Sequence, residues 1–143
     1  MSWQKLLANG SVKKHQTSKD ELDSLRAVVE RDLKDAALDK LSDDRRFATA
    51  YNAILQLSKM VIACAGYRVS GHGHHQVSFE VLELAMDKGV ANMAAYFDSC
   101  RKKRNALDYD TTRVVSAKEV AEIISKAQEF RLEVEKWISA KNL

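Results

Sequence analysis

The chain has 143 residues, of which 45% are apolar, 30% charged and 7% aromatic, and its formal net charge is +3. These values suit one ordinary domain over residues 1–143 and exclude wholesale disorder. So small a positive charge is no general signature of nucleic-acid binding, and any basic surface has to be local. Proline is absent and only five glycines occur, so little in the chain interrupts long helices.

The predicted elements are helices joined by short links. In chain order, apolar spacing and turn residues place a short amphipathic piece over 2–8 and helices over 18–40, 42–66, 77–89, 90–109 and from 116 onward, with polar loops over 11–19 and 68–76. Ser18 with Glu21, and Ser116 with Glu119, have the spacing of capping boxes. No stretch alternates apolar and polar residues for long enough to indicate a strand. The sequence therefore predicts an all-α fold, an antiparallel bundle of four to five helices.

The two cysteines and the apolar runs indicate the class of protein. Cys64 and Cys100 lie in apolar helical stretches without the spacing of a metal site or a disulfide framework, and we expect reduced core residues. Residues 1–10 lack the apolar run of a signal peptide, and the longest apolar run, 60–66, is too short to cross a bilayer. We expect a cytoplasmic protein that is neither secreted nor inserted in a membrane.

The segment Gly71-His72-Gly73-His74-His75 is the first candidate for chemistry. Neutral imidazoles bind zinc, but a zinc site needs three or four ligands that converge in space. These histidines are adjacent on a glycine-rich loop, without a helical His-x-x-x-His pattern or a nearby cysteine pair. The loop can equally serve to position the next helix. We therefore expect no metal site.

A cationic run near the end of the penultimate helix is the second candidate. Its members are Arg101, Lys102, Lys103 and Arg104. At 100° per residue, Arg104 falls at the edge of the apolar face, Arg101 and Asn105 flank that face, and the two lysines point away. Because an unpaired buried charge is costly, Arg104 needs a partner, and Asp108 lies four residues further on.

Two interpretations of this helix end remain open. In one, Arg104 and Asp108 form a structural ion pair. In the other, Arg104, Asn105 and Tyr109 line a polar notch that binds a phosphate. Residues five apart on a regular helix are about 140° apart, so Arg104 and Tyr109 share one pocket only if the helix distorts or if two copies meet across a two-fold axis. The second interpretation therefore predicts a homodimer.

At this point the sequence resembles the HEPN superfamily, small helical domains found in prokaryotic toxin–antitoxin and defence systems. The segments that carry the resemblance are Trp3 to Gly10, Leu41 to Phe47, Ala50 to Ala53, Gly66 to Arg68, His74-His75, Arg104-Asn105, Val115-Ser116 and the final helix. The resemblance implies an all-helical fold over nearly the whole chain.

The resemblance also implies metal-independent RNA cleavage without a cofactor. The family motif is an arginine, a polar residue, three further positions and a histidine. Arg104 and Asn105 match the first two places, where they would bind the scissile phosphate and orient the RNA, but Tyr109 occupies the histidine position. Tyrosine has an ordinary pKa near 10 and is a poor acid–base group at neutral pH. The neighbouring cations, Arg101 to Lys103, would attract RNA.

Three hypotheses follow. The chain is an endoribonuclease with a tyrosine variant of the motif, acting as a toxin restrained by a partner. Alternatively, it is a catalytically inactive HEPN module that binds RNA or a nucleotide, or that partners a nucleotidyltransferase-type antitoxin. In the third, it is a dimeric bundle in which Arg104 and Asp108 have a purely structural role.

Overall fold

A computed structural model describes residues 1–71, 73–109 and 115–141, and it has the predicted all-α architecture. In chain order the elements are α1 (Trp3–Ala8), β1 (Val12–Lys14), α2 (Lys19–Ala36), α3 (Asp43–Cys64), β2 (Tyr67–Val69), α4 (His74–Glu80), α5 (Leu82–Met86), a 3-10 turn (Lys88–Val90), α6 (Ala91–Tyr109) and α7 (Ala117–Ala140). No helix in these described ranges combines the length and apolarity needed to cross a membrane.

The central element is α3, which packs against α2, α6 and α7. Apolar residues cover most of its circumference, as a helix surrounded by other helices requires. From Phe47 to Ala63, a stretch described throughout, Lys59 is the one exposed residue. The main core is formed by α3 and the inward faces of α2, α4, α6 and α7, with Phe79, Phe97 and Phe130 among its largest fully buried side chains.

A two-stranded antiparallel sheet lies beside the bundle, and the expectation of no strand was wrong. β1 pairs with β2 in the register Val12↔Val69 and Lys14↔Tyr67. Both strands have three residues, too few for a period of two to be recognised in the sequence. Behind the sheet, Leu6, Val12, Ile62 and Val81 form a second, smaller core.

Side-chain caps begin α2, α3 and α7. The box at Ser116 is complete, since its hydroxyl accepts from the Glu119 N–H at 3.1 Å and the Glu119 carboxylate accepts from the Ser116 N–H at 3.0 Å. At Ser18 the box is only half formed. Its hydroxyl accepts from the Glu21 N–H, but the Glu21 carboxylate lies against His15 and Thr17 instead. The predicted box at Ser18 is therefore corrected to a single cap.

The region after the glycine-rich segment also differs from the sequence expectation. In place of one helix over 77–89, the chain forms α4, α5 and the 3-10 turn. α4 starts three residues earlier than predicted, so that His74 and His75 belong to a helix. Asp87 adopts a positive φ of 86° and ends α5. This earlier start fixes the two histidines on a regular element that packs against α6.

Candidate functional site

The candidate site lies where α6 packs against α4. Arg101, Arg104 and Asn105 are spaced i, i+3 and i+4 along α6, so they share one face of the helix. Arg101 and Arg104 are half-buried and Asn105 is exposed. The helical wheel therefore grouped these three residues correctly.

Arg101 is held in place by an acidic neighbour on its own helix. Its Nε donates to Asp98 Oδ1 at 2.7 Å, and 17% of the arginine side chain is exposed. A guanidinium carries five N–H donors, and this bond uses one of them. Arg101 is thus fixed and keeps hydrogen-bonding capacity for an anion.

α4 brings two histidines to this face of α6. Gly73 precedes the helix in the left-handed region, with φ 74°, a conformation that glycine adopts without strain. The resulting pocket has a volume of about 240 Å³, and its lining is Gly73, His74, His75, Gln76, Arg101 and Asn105. Histidines of the loop cluster and two residues of the cationic helix therefore line one pocket.

A buried tyrosine of α3 orients one of these histidines. Tyr51 Oη and His75 Nδ1 are 2.9 Å apart, and the tyrosine is 3% exposed. Either tautomer of the imidazole satisfies this contact, with the phenol as donor or as acceptor. The Tyr51 ring packs edge-on against Phe79 at 5.9 Å between centroids, which fixes the phenol from the core side. His75 thus sits at the surface end of a rigid aromatic contact.

The electrostatics of this contact keep both rings neutral at pH 7. Burial raises the pKa of Tyr51 above its ordinary value, so the phenol retains its proton. His75 is exposed, and partial loss of solvent around its ring lowers the pKa of the imidazole below 6.5. The nearby positive charges that lower it further belong to Lys59, His74, Arg101 and Arg104. A neutral imidazole that shares a pocket with the Arg101 guanidinium is able to accept a proton.

The two lysines of the cationic run lie elsewhere. Lys103 faces α7, where its Nζ is 3.2 Å from Glu119 Oε2, and it lines a separate cavity of about 260 Å³. Lys102 is 71% exposed, and its Nζ is 3.8 Å from Asp98 Oδ2. The run is therefore divided between different sides of α6 and does not form one basic patch beside the histidines.

Three predicted residues fall outside what the structure describes. These are His72 and the side chains of Asp108 and Tyr109. The Arg104–Asp108 ion pair and the part played by Tyr109 therefore stay predictions. Within the described ranges, no three histidine, cysteine or acidic residues converge as a metal site would require.

Two residues of this region were missed by sequence reasoning. Tyr51 fits the apolar stripe of its helix, and nothing in the sequence separates it from an ordinary core residue. Lys59 did leave a signal, because it is the only charged residue between Phe47 and Cys64. A lone cation in so apolar a helix indicates that the structure opens to solvent at that point.

The comparison with protein families agrees with this architecture. A family model described as SAV_6107-like HEPN matches residues 37–135, which is more than half of the chain. The matched range contains Tyr51, His75, Arg101 and Asn105, whereas α1, β1 and α2 lie before it. No curated protein and no solved structure matched the chain. On the strength of the family match and the helical fold, the chain belongs to the HEPN superfamily.

Proposed function

We propose that this HEPN protein is a metal-independent endoribonuclease with its site on the α6 face that meets α4. Arg101, Arg104 and Asn105 bind the RNA phosphate, and His75 is the acid–base group. The observation that carries the proposal is the pocket in which His75 lies with Arg101 and Asn105. Acid–base groups and phosphate-binding cations are the parts that RNA cleavage needs.

The chemistry assigns each group a task. His75 Nε2 accepts the proton of a ribose 2′-hydroxyl, in the tautomer whose Nδ1–H donates to the Tyr51 oxygen. The 2′-oxygen bonds to the adjacent phosphorus, and the bond from phosphorus to the 5′-oxygen breaks. The leaving oxygen takes a proton from the protonated imidazole or from water, giving a 2′,3′-cyclic phosphate and a 5′-hydroxyl. The guanidinium groups stabilise the charge that builds on the phosphorane oxygens.

This assignment gives the acid–base task to His75 and leaves Tyr109 to bind RNA. The lowered pKa of His75 keeps it neutral at pH 7, whereas an ordinary phenol is protonated there and is a weak base. α6 continues as an α-helix to Tyr109, so positions 104 and 109 are about 140° apart. We therefore also propose a homodimer, in which Tyr109 of one copy serves the Arg104 site of the other.

Family membership supports a biological setting for this activity. We propose a toxin-like enzyme that a nucleotidyltransferase-type antitoxin restrains. The cytoplasmic location and the single domain over residues 1–143 stay predictions.

The test is RNA cleavage with excess EDTA by purified wild type and by Arg104→Ala, His75→Gln and Tyr109→Phe. We expect a 2′,3′-cyclic phosphate product from the wild type, a loss of at least about a hundredfold in Arg104→Ala and His75→Gln, and a smaller loss in Tyr109→Phe. Lys34→Ala is the matched control, since this lysine is 76% exposed on α2. Its rate should equal that of the wild type.

The melting temperature of each variant separates loss of chemistry from loss of fold. RNA binding without cleavage by the wild type would overturn the enzyme and favour a non-catalytic RNA-binding module. If Arg104→Ala changes the melting temperature and neither the wild type nor any variant binds or cleaves RNA, the purely structural bundle is favoured.

A further inference from the structure

A second and larger cavity opens on the other side of His74 and His75. Its volume is about 320 Å³, within the usual range of small-molecule sites. Its walls come from α2, α3, β2 and α4, and His74 and His75 line it as well as the pocket on α6. The two spaces therefore adjoin at the proposed acid–base residue.

The floor of this cavity is apolar and belongs largely to α3. Leu55 and Ile62 are buried side chains that lie one turn before and one turn after Lys59 on the same helix. One face of α3 therefore carries Leu55, Lys59 and Ile62 in turn, a cation between two apolar residues. Lys59 reaches the surface because the cavity opens there. A flat apolar group could lie on this floor with an anion at the level of the lysine.

The charges around the opening favour an anion. Lys59 and Arg68 both line the cavity, and neither takes part in an ion pair within the described ranges. The acidic side chain of the lining, Glu21, is already engaged. Its carboxylate oxygens lie 2.8 and 3.0 Å from His15 Nε2, and Thr17 Oγ1 donates to it at 2.6 Å.

We propose that this cavity binds a nucleotide, with the base on the apolar floor and a phosphate against Lys59 and Arg68. The inference rests on the proposed function, because the bound nucleotide is the one whose 2′-hydroxyl faces His75. Its 3′ phosphate then continues to Arg101 and Asn105 on the far side of the histidine. The cavity thereby selects the nucleotide after which the RNA is cleaved.

The test is titration of the full chain with adenosine 5′-monophosphate, adenosine and inorganic phosphate, followed by amide chemical shifts and calorimetry. We expect the nucleotide to bind more tightly than either part. Its shift changes should lie at Lys59, Tyr67 and Arg68, and binding should weaken with salt. Lys59→Gln should weaken it about tenfold, while Lys34→Gln leaves it unchanged. Both lysines are exposed, so neither change threatens the fold.

Arg104→Ala separates this inference from the proposed function. We expect it to lose cleavage and to bind adenosine 5′-monophosphate within about twofold of the wild type, since Arg104 does not line this cavity. If the wild type cleaves RNA and Lys59→Gln binds the nucleotide as the wild type does, the nucleotide site in this cavity is wrong and the proposed endoribonuclease activity stands. If the nucleotide binds in the cavity but no RNA is cleaved, the proposed endoribonuclease activity is wrong and the nucleotide site stands. Equal affinity for inorganic phosphate and the nucleotide would show a simple anion site and would also overturn the inference.

Discussion

His75 depends on Tyr51 for its orientation. The phenol is buried, fixed by Phe79 and 2.9 Å from the ring nitrogen, whereas much of the histidine is open to solvent. Tyr51→Phe removes the hydrogen bond and keeps the packing. A hydrogen bond of this kind is worth about 1 kcal/mol, so we expect the cleavage rate to fall about fivefold while the melting temperature changes by only a few degrees.

The measurement is the cleavage rate beside a thermal melt. A phenylalanine variant that cleaves RNA at the wild-type rate would show that His75 is positioned without Tyr51. Fall of the rate together with loss of the folded state would instead make Tyr51 a structural residue only.

The pH dependence of cleavage follows from the charges that face His75. As the proposed proton acceptor, His75 must be neutral, and its pKa is lowered, so we expect activity to appear as pH rises through a value below about 6.5. Lys59 is one of the cations that disfavour the imidazolium. Removing that charge raises the pKa of His75, and Lys59→Gln should move the acid limb of the rate to higher pH.

A pH series at saturating RNA measures this shift, and Lys34→Gln on α2 should show none. An acid limb that stays at the same pH in Lys59→Gln would show that Lys59 does not act on the catalytic group.

At the scale of the elements, α7 begins with a complete capping box. The Ser116 hydroxyl and the Glu119 carboxylate each accept a backbone N–H at the first turn. Loss of such a cap costs about 1 kcal/mol, so Ser116→Ala should lower the melting temperature by about 3 °C, as expected for a domain of this size. Ser125, exposed in the middle of the same helix, is the matched control. Ser125→Ala should leave the melting temperature unchanged or raise it slightly, and an equal loss in both variants would contradict the capping argument.

The elements also show what the sequence was able to predict. Helices such as α3 and α7 were found because apolar spacing and caps are local signals that span a few residues. The sheet was missed because Val12 and Val69 meet through the tertiary fold, and three residues carry no readable period. The helical wheel placed Arg101 near Asn105 because both lie on one helix. It could not place His75 beside them, because His75 reaches them only through the packing of α4 against α6.

At the scale of the whole molecule, the proposed dimer makes a prediction about mixing. If Tyr109 of one copy serves the Arg104 site of the other, a mixed dimer of Arg104→Ala and Tyr109→Phe chains contains one intact site. Random exchange should then add about a quarter of the wild-type rate to the activity that the Tyr109→Phe dimers retain, since half of the dimers are mixed and each has one intact site of two.

The rate of the mixture, beside sedimentation of each pure variant, measures this. If the mixture cleaves no faster than the average of the two pure variants, or if the chain sediments as a monomer, Tyr109 does not contribute to the site of another copy. The proposed site then consists of His75 and the α6 face alone.

The stacking of Trp3 on Tyr67 has a practical consequence. The two rings are nearly parallel, with centroids 4.2 Å apart, and Tyr67 is part of the wall of the larger cavity. The chain has one other tryptophan, Trp137, which lies on α7 with the Lys141 ammonium 4.5 Å from its ring. In a Trp137→Phe variant, Trp3 becomes the sole indole fluorophore. Since Tyr67 lies in the cavity wall, we expect the emission of Trp3 to change when a ligand binds there, which would give the protein its own optical probe without a label.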